Sequence, residues 1–419
     1  MAELFCGIDF GTTNSTVGLC AKNGQPELVP LEDDNLTIPS AIFFSFEDHQ
    51  VYFGRAAVFE YMDGAEGRFM RAMKSILGSS LMEETTQVGR ERMRFEQLIG
   101  RFLRHLRHQL EGNGGAAPEQ VVLGRPVFFV DGDPKADKTA EDQLRSAAAT
   151  QGFRHIEFQF EPVAAALHFE QRLTREELAL VVDVGGGTSD FSVLRLSPER
   201  ARSANRLSDI LSTSGVHVGG TDFDRLLNLA RVMPEMGRGT ETRDGKRQLP
   251  QWYFHDMATW HRINLLYTPK IFRDVTALQR EAAEPEKVDK FLHLLEHRSG
   301  HRLASAVETA KIELTDAMDT EVTLDEPGLT LELPVTRGEF EAAVGGLVEK
   351  IGGAIDEALA RAGVGAGAIE TIILTGGGAQ VPSVMATVNQ RFPDAKIAQS
   401  DRFGAVGLGL ALDAAGKFG

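Results

Sequence analysis

Cysteine, long apolar runs and positive charge are all scarce in this sequence, and each scarcity removes a class of protein. With only Cys6 and Cys20 among 419 residues, no disulfide framework can brace the chain, which favours a reducing compartment; both read as small apolar residues on strands. No run of about 18 apolar residues is present, and Glu3, Asp9 and Asn14 interrupt the N-terminal segment that could serve as a signal-peptide core. A cytoplasmic location and no membrane partner are therefore expected. Lys and Arg number 44 against 60 Asp and Glu, a net charge of −16. That field repels phosphate backbones and anionic headgroups, so nucleic acid is not an expected partner either.

Apolar residues, 42% of the chain, and glycine, 43 residues, are plentiful. Such a chain buries enough surface to offset its ordering entropy, and its length suits two domains or two lobes. The apolar run Leu4 to Asp9 breaks at Gly11-Thr12-Thr13 and resumes over Ser15 to Leu19, which predicts strand, tight turn and strand. Leu178 to Asp183 and Phe191 to Leu196 repeat this around Gly185-Gly186-Gly187-Thr188. The two copies lie too far apart for a solenoid, whose period is about 20 to 50 residues, and fit a duplicated domain.

Between them, Phe95, Leu98, Ile99, Phe102, Leu106 and Leu110 predict an amphipathic helix ending at Gly112. Val121 to Leu123 and Val127 to Val130 predict buried strands, and Lys138 to Thr150 a helix. A third glycine cluster, Gly376-Gly377-Gly378, follows a strand at Thr371 to Thr375 and precedes a helix starting near Pro382. Arg231 to Arg302 is richer in charge and holds both tryptophans, so it reads as an inserted subdomain, mostly helical from Val275 onward.

Turns of glycine and threonine present backbone N–H groups and hydroxyls in a concave nest, which holds phosphate oxygens without interference from side chains. Two such nests could clamp one polyphosphate. Each also places an acid two residues before its first glycine, Asp9 and Asp183, where a bare carboxylate repels phosphate. A cation between them answers that repulsion, and magnesium, which keeps most of its waters and binds through one or two carboxylates plus phosphates, meets the need.

Gly7-Ile8-Asp9-Phe10-Gly11-Thr12-Thr13-Asn14-Ser15 resembles the first phosphate motif of the heat-shock protein 70 (DnaK) family ATPase domain. Val182-Asp183-Val184-Gly185-Gly186-Gly187-Thr188-Ser189-Asp190 resembles the second, and Leu374-Thr375-Gly376-Gly377-Gly378-Ala379-Gln380-Val381-Pro382 the adenosine motif. Glu161-Pro162-Val163-Ala164-Ala165-Ala166, Met73-Lys74-Ser75-Ile76-Leu77-Gly78 and Val218-Gly219-Gly220-Thr221-Asp222-Phe223-Asp224 are similar to further family segments, in family order. The resemblance runs from position 5 to about 412, and the motifs are specific as a set.

That resemblance implies an α/β chain of the actin-like ATPase fold, two ribonuclease-H-like lobes around a nucleotide cleft. Lobe I would occupy 1–175 with an inserted subdomain near 40–100, lobe II 176–400 with a helical insert near 229–303, and 401–419 would be a C-terminal helix returning to lobe I. Asp9 and Asp183 would hold hydrated magnesium. Gly11, Thr12, Thr13, Asn14, Gly185, Gly186, Gly187 and Thr188 would hold the phosphates of ATP or ADP, with Lys74 reaching the γ-phosphate. Lys74, Glu161, Asp183 and Asp190 would be the catalytic residues, with Glu161 and Asp190 orienting the attacking water. Gly219, Gly220, Glu308, Lys311, Thr315, Gly376, Gly377, Gly378, Gln380 and Asp401 would complete the nucleotide site. The sequence departs from the family at Ile312 and Gln380, where arginines stack on the base; losing two contacts worth about 0.5 to 2 kcal/mol each predicts weaker nucleotide binding.

A last helix is expected at Asp401 to Leu412, and with only Asp413 to Gly419 after it no peptide-binding domain is expected, a pattern that most resembles the YegD-like branch of chaperones. The expected activity is slow ATP hydrolysis in a nucleotide-dependent switch, with a protein partner at the 229–303 insert. The alternatives are an actin-like filament subunit and a small-molecule kinase or phosphatase of the same superfold. His293-Leu294-Leu295-Glu296-His297, with His301, matches a zinc-peptidase pattern but reads as a chance match in a charged helix, and no zinc is expected. The basic series Arg101, Arg104, His105, Arg107 and His108 reads as a solvated face, and Trp252-Tyr253-Phe254 as core of the insert.

Overall fold

The computed structural model describes residues 3–112, 118–130, 132–202, 206–398 and 404–419. The chain divides into two compact units. One comprises Met1–His217, Gly352–Ala379 and Val388–Gly419, and the other Val218–Ile351 and Gln380–Thr387.

The first unit holds two sheets of matching topology. β1 (Leu4–Phe10), β2 (Asn14–Ala21), β3 (Glu27–Leu28), β4 (Gln120–Arg125) and β5 (His155–Phe160) lie in the order β5-β4-β1-β2-β3, with Thr37–Pro39 also paired to β2. β6 (Glu177–Val184), β7 (Ser189–Leu196), β8 (Ile210–Val216), β9 (Thr371–Thr375) and β10 (Lys396–Ala398) lie in the order β8-β7-β6-β9-β10. In each sheet the first strand is central, with an antiparallel partner joined by a short turn on one side and a parallel partner reached by a long crossover on the other. The echo between the two glycine-threonine motifs therefore extends to whole sheets.

Phe5, Cys6, Ile8 and Phe10 of β1 are all buried, the mark of a strand covered on both faces. Cys6 faces Leu19 and Cys20 faces Phe5 across the β1–β2 ladder, both thiols free and buried as the sequence predicts.

The expected amphipathic helix is α1 (Phe95–Gly112), which buries Leu98, Ile99, Phe102, Leu103 and Leu106. Its basic series is not uniformly solvated: Arg101 lies over the Phe44 ring, and His105 stacks on Phe53 at 4.3 Å. Burial, helped by nearby His108, lowers the His105 pKa to about 4. The strand expected at Val127 to Val130 is absent. Pro126 has no N–H to extend the ladder, and the chain bends away, with Phe129 N–H bonded to Asp137 at 2.6 Å and Phe128 54% exposed. α2 (Pro134–Ala149) starts earlier than Lys138, because Asp133 caps the N–H groups of Lys135 and Ala136 and Pro134 presets the first turn.

α3 (Glu161–Glu170) and the C-terminal helix Ala405–Phe418 pack backbone to backbone between the sheets. A Cβ at Gly409 would overlap the Ala164 carbonyl oxygen and stand 3.0 Å from its Cα, so only glycine fits there.

In the second unit, α4 (Gly220–Leu227) leads into a bundle of α5 (Pro269–Glu281), α6 (Pro285–Glu296) and α7 (Gly300–Glu313), and a hairpin of Asp319–Glu326 and Leu329–Thr336. Helical structure in the insert begins before Val275. Trp252–Met257 is already a helix, and Thr268 caps α5 through Ile271 N–H with Pro269 in the first turn. Tyr253 and Phe254 are core, but Trp252 is 46% exposed, because a six-residue helix cannot bury all sides. His293 Nε2 meets Glu326 at 3.1 Å, His297 stacks on the His293 ring, and His301 bonds the Trp260 carbonyl, so the three rings do not converge. Among the described residues no helix is long and apolar enough to cross a membrane.

Candidate functional site

The two glycine-threonine turns of the first unit touch. Thr13, between β1 and β2, lies against Gly186, between β6 and β7: a Cβ on Gly186 would overlap Thr13 Oγ1 and stand 3.1 Å from Thr13 Cβ. Local bonds shape both turns. Ser40 braces the first, its hydroxyl donating to the Gly11 carbonyl at 2.7 Å and its N–H to the Thr13 carbonyl at 2.8 Å. Gly185 N–H closes the second on the Thr188 carbonyl at 2.9 Å, and around Gly187 the space is open. Thr12 and Thr13 are half-buried, and Asn14, Gly187 and Thr188 exposed.

Beside the turns the strand ends deliver a cluster of charge. Asp9 is on β1, Asp183 on β6, and Asp190, opposite Asp183 in the ladder, is the second residue of β7. Lys74, on the 3-10 turn Met73–Ile76, ion-pairs with Glu161, the first residue of α3. Lys74 is buried, where a solvated helix lysine would be exposed. Burial and then repulsion from Glu161 raise the Asp9 pKa to about 7 against the pull of Lys74. Burial, Asp190, Glu161 and Asp9 raise Asp183 further, to about 8. Burial alone would lower the Lys74 pKa, but Glu161, Asp9 and Asp183 outweigh it and hold the ammonium above its ordinary value. Burial and crowding thus hold both carboxyls above their ordinary range.

Gly376 brings the third glycine cluster to the same place. It takes φ +79°, and a Cβ there would overlap the Val184 carbonyl oxygen and lie 2.8 Å from Asp183 Oδ1. Gly378 packs as closely on Val184, and Gly377 separates the two.

A cavity of about 330 Å³ adjoins the carboxylates, lined by Glu161, Asp183 and Asp190 and by Phe128, Ser214 and Arg361. The last three escaped the sequence reading. Ser214 donates to Glu357 at 2.7 Å, and Arg361 binds Glu357 and the Thr213 carbonyl. A Glu and Arg four apart on a helix carry no sequence signal that would join them to a strand so distant along the chain.

The second unit carries other expected residues. Gly219 N–H meets Asp222 at 3.2 Å at the start of α4, whose Gly220 is buried. Lys311 pairs with Asp224 at 2.7 Å, while Glu308 and Ile312, one turn apart on α7, are both exposed. Thr315 N–H bonds the Ile312 carbonyl at 3.0 Å, and Gln380 opens the second segment of that unit. Asp401 lies outside the described residues.

Comparison with known proteins places the chain in a family. The family model described as Hsp70 protein matches residues 5–240 and 277–417. The chaperone protein DnaK of Thermotoga petrophila is 27% identical over 423 aligned residues, covering 99% of this chain and 59% of that protein. The chaperone protein DnaK of Thermosipho melanesiensis is 26% identical over 424, with the same coverage. The chain thus spans 59% of the length of these curated relatives. The duplicated sheets are those of the actin-like ATPase fold, and with a family match covering most of its length, this chain belongs to the Hsp70 protein family.

Proposed function

We propose that the protein binds ATP with magnesium in the cytoplasm, hydrolyses it slowly, and uses the exchange between ATP and ADP as a conformational switch in chaperone work. The observation that carries this reading is the contact of Thr13 with Gly186, which sets two phosphate-type turns from duplicated sheets side by side over shared carboxylates. Backbone N–H groups at 11–13 and 185–188 would hold the phosphates, the open side of Gly187 leaving them room. Asp9 and Asp183 would hold the magnesium; their raised pKa values describe a carboxylate pair short of positive charge, which fits a divalent cation. Magnesium, when bound, neutralises charge building on the β- and γ-phosphates.

The remaining groups act on water. Glu161 and Asp190 would accept hydrogen bonds from the attacking water and fix its line of approach, while Lys74, ion-paired with Glu161, would offset that charge and reach the γ-phosphate. A new bond forms from the water oxygen to the γ-phosphorus, the bond to the β–γ bridging oxygen breaks, and ADP and inorganic phosphate result. Such a centre needs alignment more than a strong base.

The relatives' printed name, chaperone protein DnaK, supports the chaperone role. The family model leaves 241–276 unmatched, and that stretch includes the exposed Trp252, which supports a protein partner particular to this chain at the insert. An ATP hydrolysis assay with Asp183→Asn and Lys74→Ala tests the assignment. Both are expected to lose about 100-fold in turnover while keeping native circular dichroism; turnover equal to that of the parent protein would overturn it.

A further inference from the structure

The far ends of the elements that carry the candidate carboxylates are tied together by a buried ionic cluster. α3 begins at Glu161 and ends, about 15 Å along its axis, at Glu170, which is fully buried. Both Glu170 oxygens accept from Arg206 Nη2, at 2.9 and 2.8 Å, and Oε1 also accepts from the Ser197 N–H at 2.9 Å. Arg206, 3% exposed, turns its Nε to Asp209, which in turn binds Arg200. Arg200 Nε reaches Glu176 at 3.2 Å.

Each of these anchors sits at an element end. Glu170 closes α3, Glu176 precedes β6, Ser197 follows β7 and Asp209 precedes β8. At or near the opposite ends of the same four elements stand Glu161, Asp183, Asp190 and the cavity residue Ser214.

The cluster is a poor device for stability alone. Desolvating three charges, those of Glu170, Arg206 and Asp209, carries a penalty that their pairing must first repay, and well-packed apolar residues commonly do better. Arg206 Nη1 is moreover buried without a hydrogen-bond partner among the described residues. What a guanidinium fork supplies, and an apolar contact does not, is a fixed direction and distance. We infer that Glu170, Arg206 and Asp209 are positioning residues, a distal clamp that sets the spacing of Glu161, Asp183 and Asp190 through the rigid elements between.

The catalytic readout of this inference rests on the hydrolysis proposed above; a second readout does not. Glu170→Gln keeps the shape and removes the charge, and Arg206→Met removes the fork. Each is expected to lower turnover of Mg·ATP about tenfold while KM for ATP and the affinity for Mg·ADP stay within about twofold. The double variant should be no slower than the slower single, and Arg206→Lys, which keeps charge without the fork, should stay impaired. Amide hydrogen exchange should accelerate at 185–190 and 213–215, far from the substitutions. Turnover within twofold of the parent, or exchange changes confined to 197–209, would overturn the clamp. If the parent protein does not hydrolyse ATP, the reading of function fails and the exchange data alone decide the clamp. If Arg206→Met does not fold, Glu170→Gln decides it.

Discussion

Replacing Gly186 by alanine is a sharp perturbation of the site because it adds one methyl group at the point where the two turns meet. That methyl would overlap Thr13 Oγ1 and lie 3.1 and 3.3 Å from Thr13 Cβ and Cγ2. Rotating Thr13 about χ1 can turn Oγ1 aside but cannot move its Cβ, which stays 3.1 Å from the new group, tighter than ordinary contact. The turns must therefore separate by a fraction of an ångström. Gly186 does not take a positive φ, so backbone strain contributes nothing and the whole cost is steric. Overpacking of this kind costs about 1–3 kcal/mol. A site gripping its ligand from both turns would lose most of that in binding, about ten- to a hundredfold in Mg·ADP affinity. Calorimetric titration of the parent, Gly186→Ala, Thr13→Ala and the double variant reads this directly. Thr13→Ala removes both branches, so the double variant should recover at least about 1 kcal/mol relative to additivity. Parent-like binding by Gly186→Ala, or strict additivity in the cycle, would show that the two turns do not grip one ligand.

Two other outcomes follow from packing and charge. Gly409→Ala drives a methyl into the backbone of Ala164, which cannot yield as a side chain can, so urea unfolding should show a loss of about 3 kcal/mol or more, or no native state. In the nucleotide-free protein, the folded pKa values of Asp9 and Asp183, about 7 and about 8, lie above the ordinary 3.8 of the unfolded chain. Between those limits the folded state holds protons the unfolded state has lost, so stability should fall as pH rises from about 4 to about 8 and level off above. Asp183→Asn should flatten that slope; a slope equal to the parent's would show that Asp183 titrates normally.

The parts of the fold that were legible in the sequence are those set by short-range rules. Paired strands around Gly11-Thr12-Thr13 and Gly185-Gly186-Gly187-Thr188 follow from alternating apolar runs and a break that only a turn satisfies, and α1 from three- and four-residue spacing. Val127 to Val130 misled because apolar composition alone does not distinguish a strand from a bend once Pro126 ends the ladder. Trp252 misled because its neighbours Tyr253 and Phe254 do pack inward and a single turn of helix divides the three. At the candidate site, the acids and the lysine carried motif signals. Phe128, Ser214, Glu357 and Arg361 carried none, since only the folded arrangement of distant segments gathers them at one cavity. The Glu170–Arg206–Asp209 cluster was invisible for the same reason: each charge reads as solvated until burial is known.

The two-turn grip on the nucleotide is best tested by a crystal structure of the protein grown with magnesium and a non-hydrolysable ATP analogue at millimolar concentration. The β- and γ-phosphates are expected between residues 11–13 and 185–188, with the metal and its waters against Asp9 and Asp183. Nucleotide bound elsewhere, or none bound while the turns keep their contact, would contradict that grip.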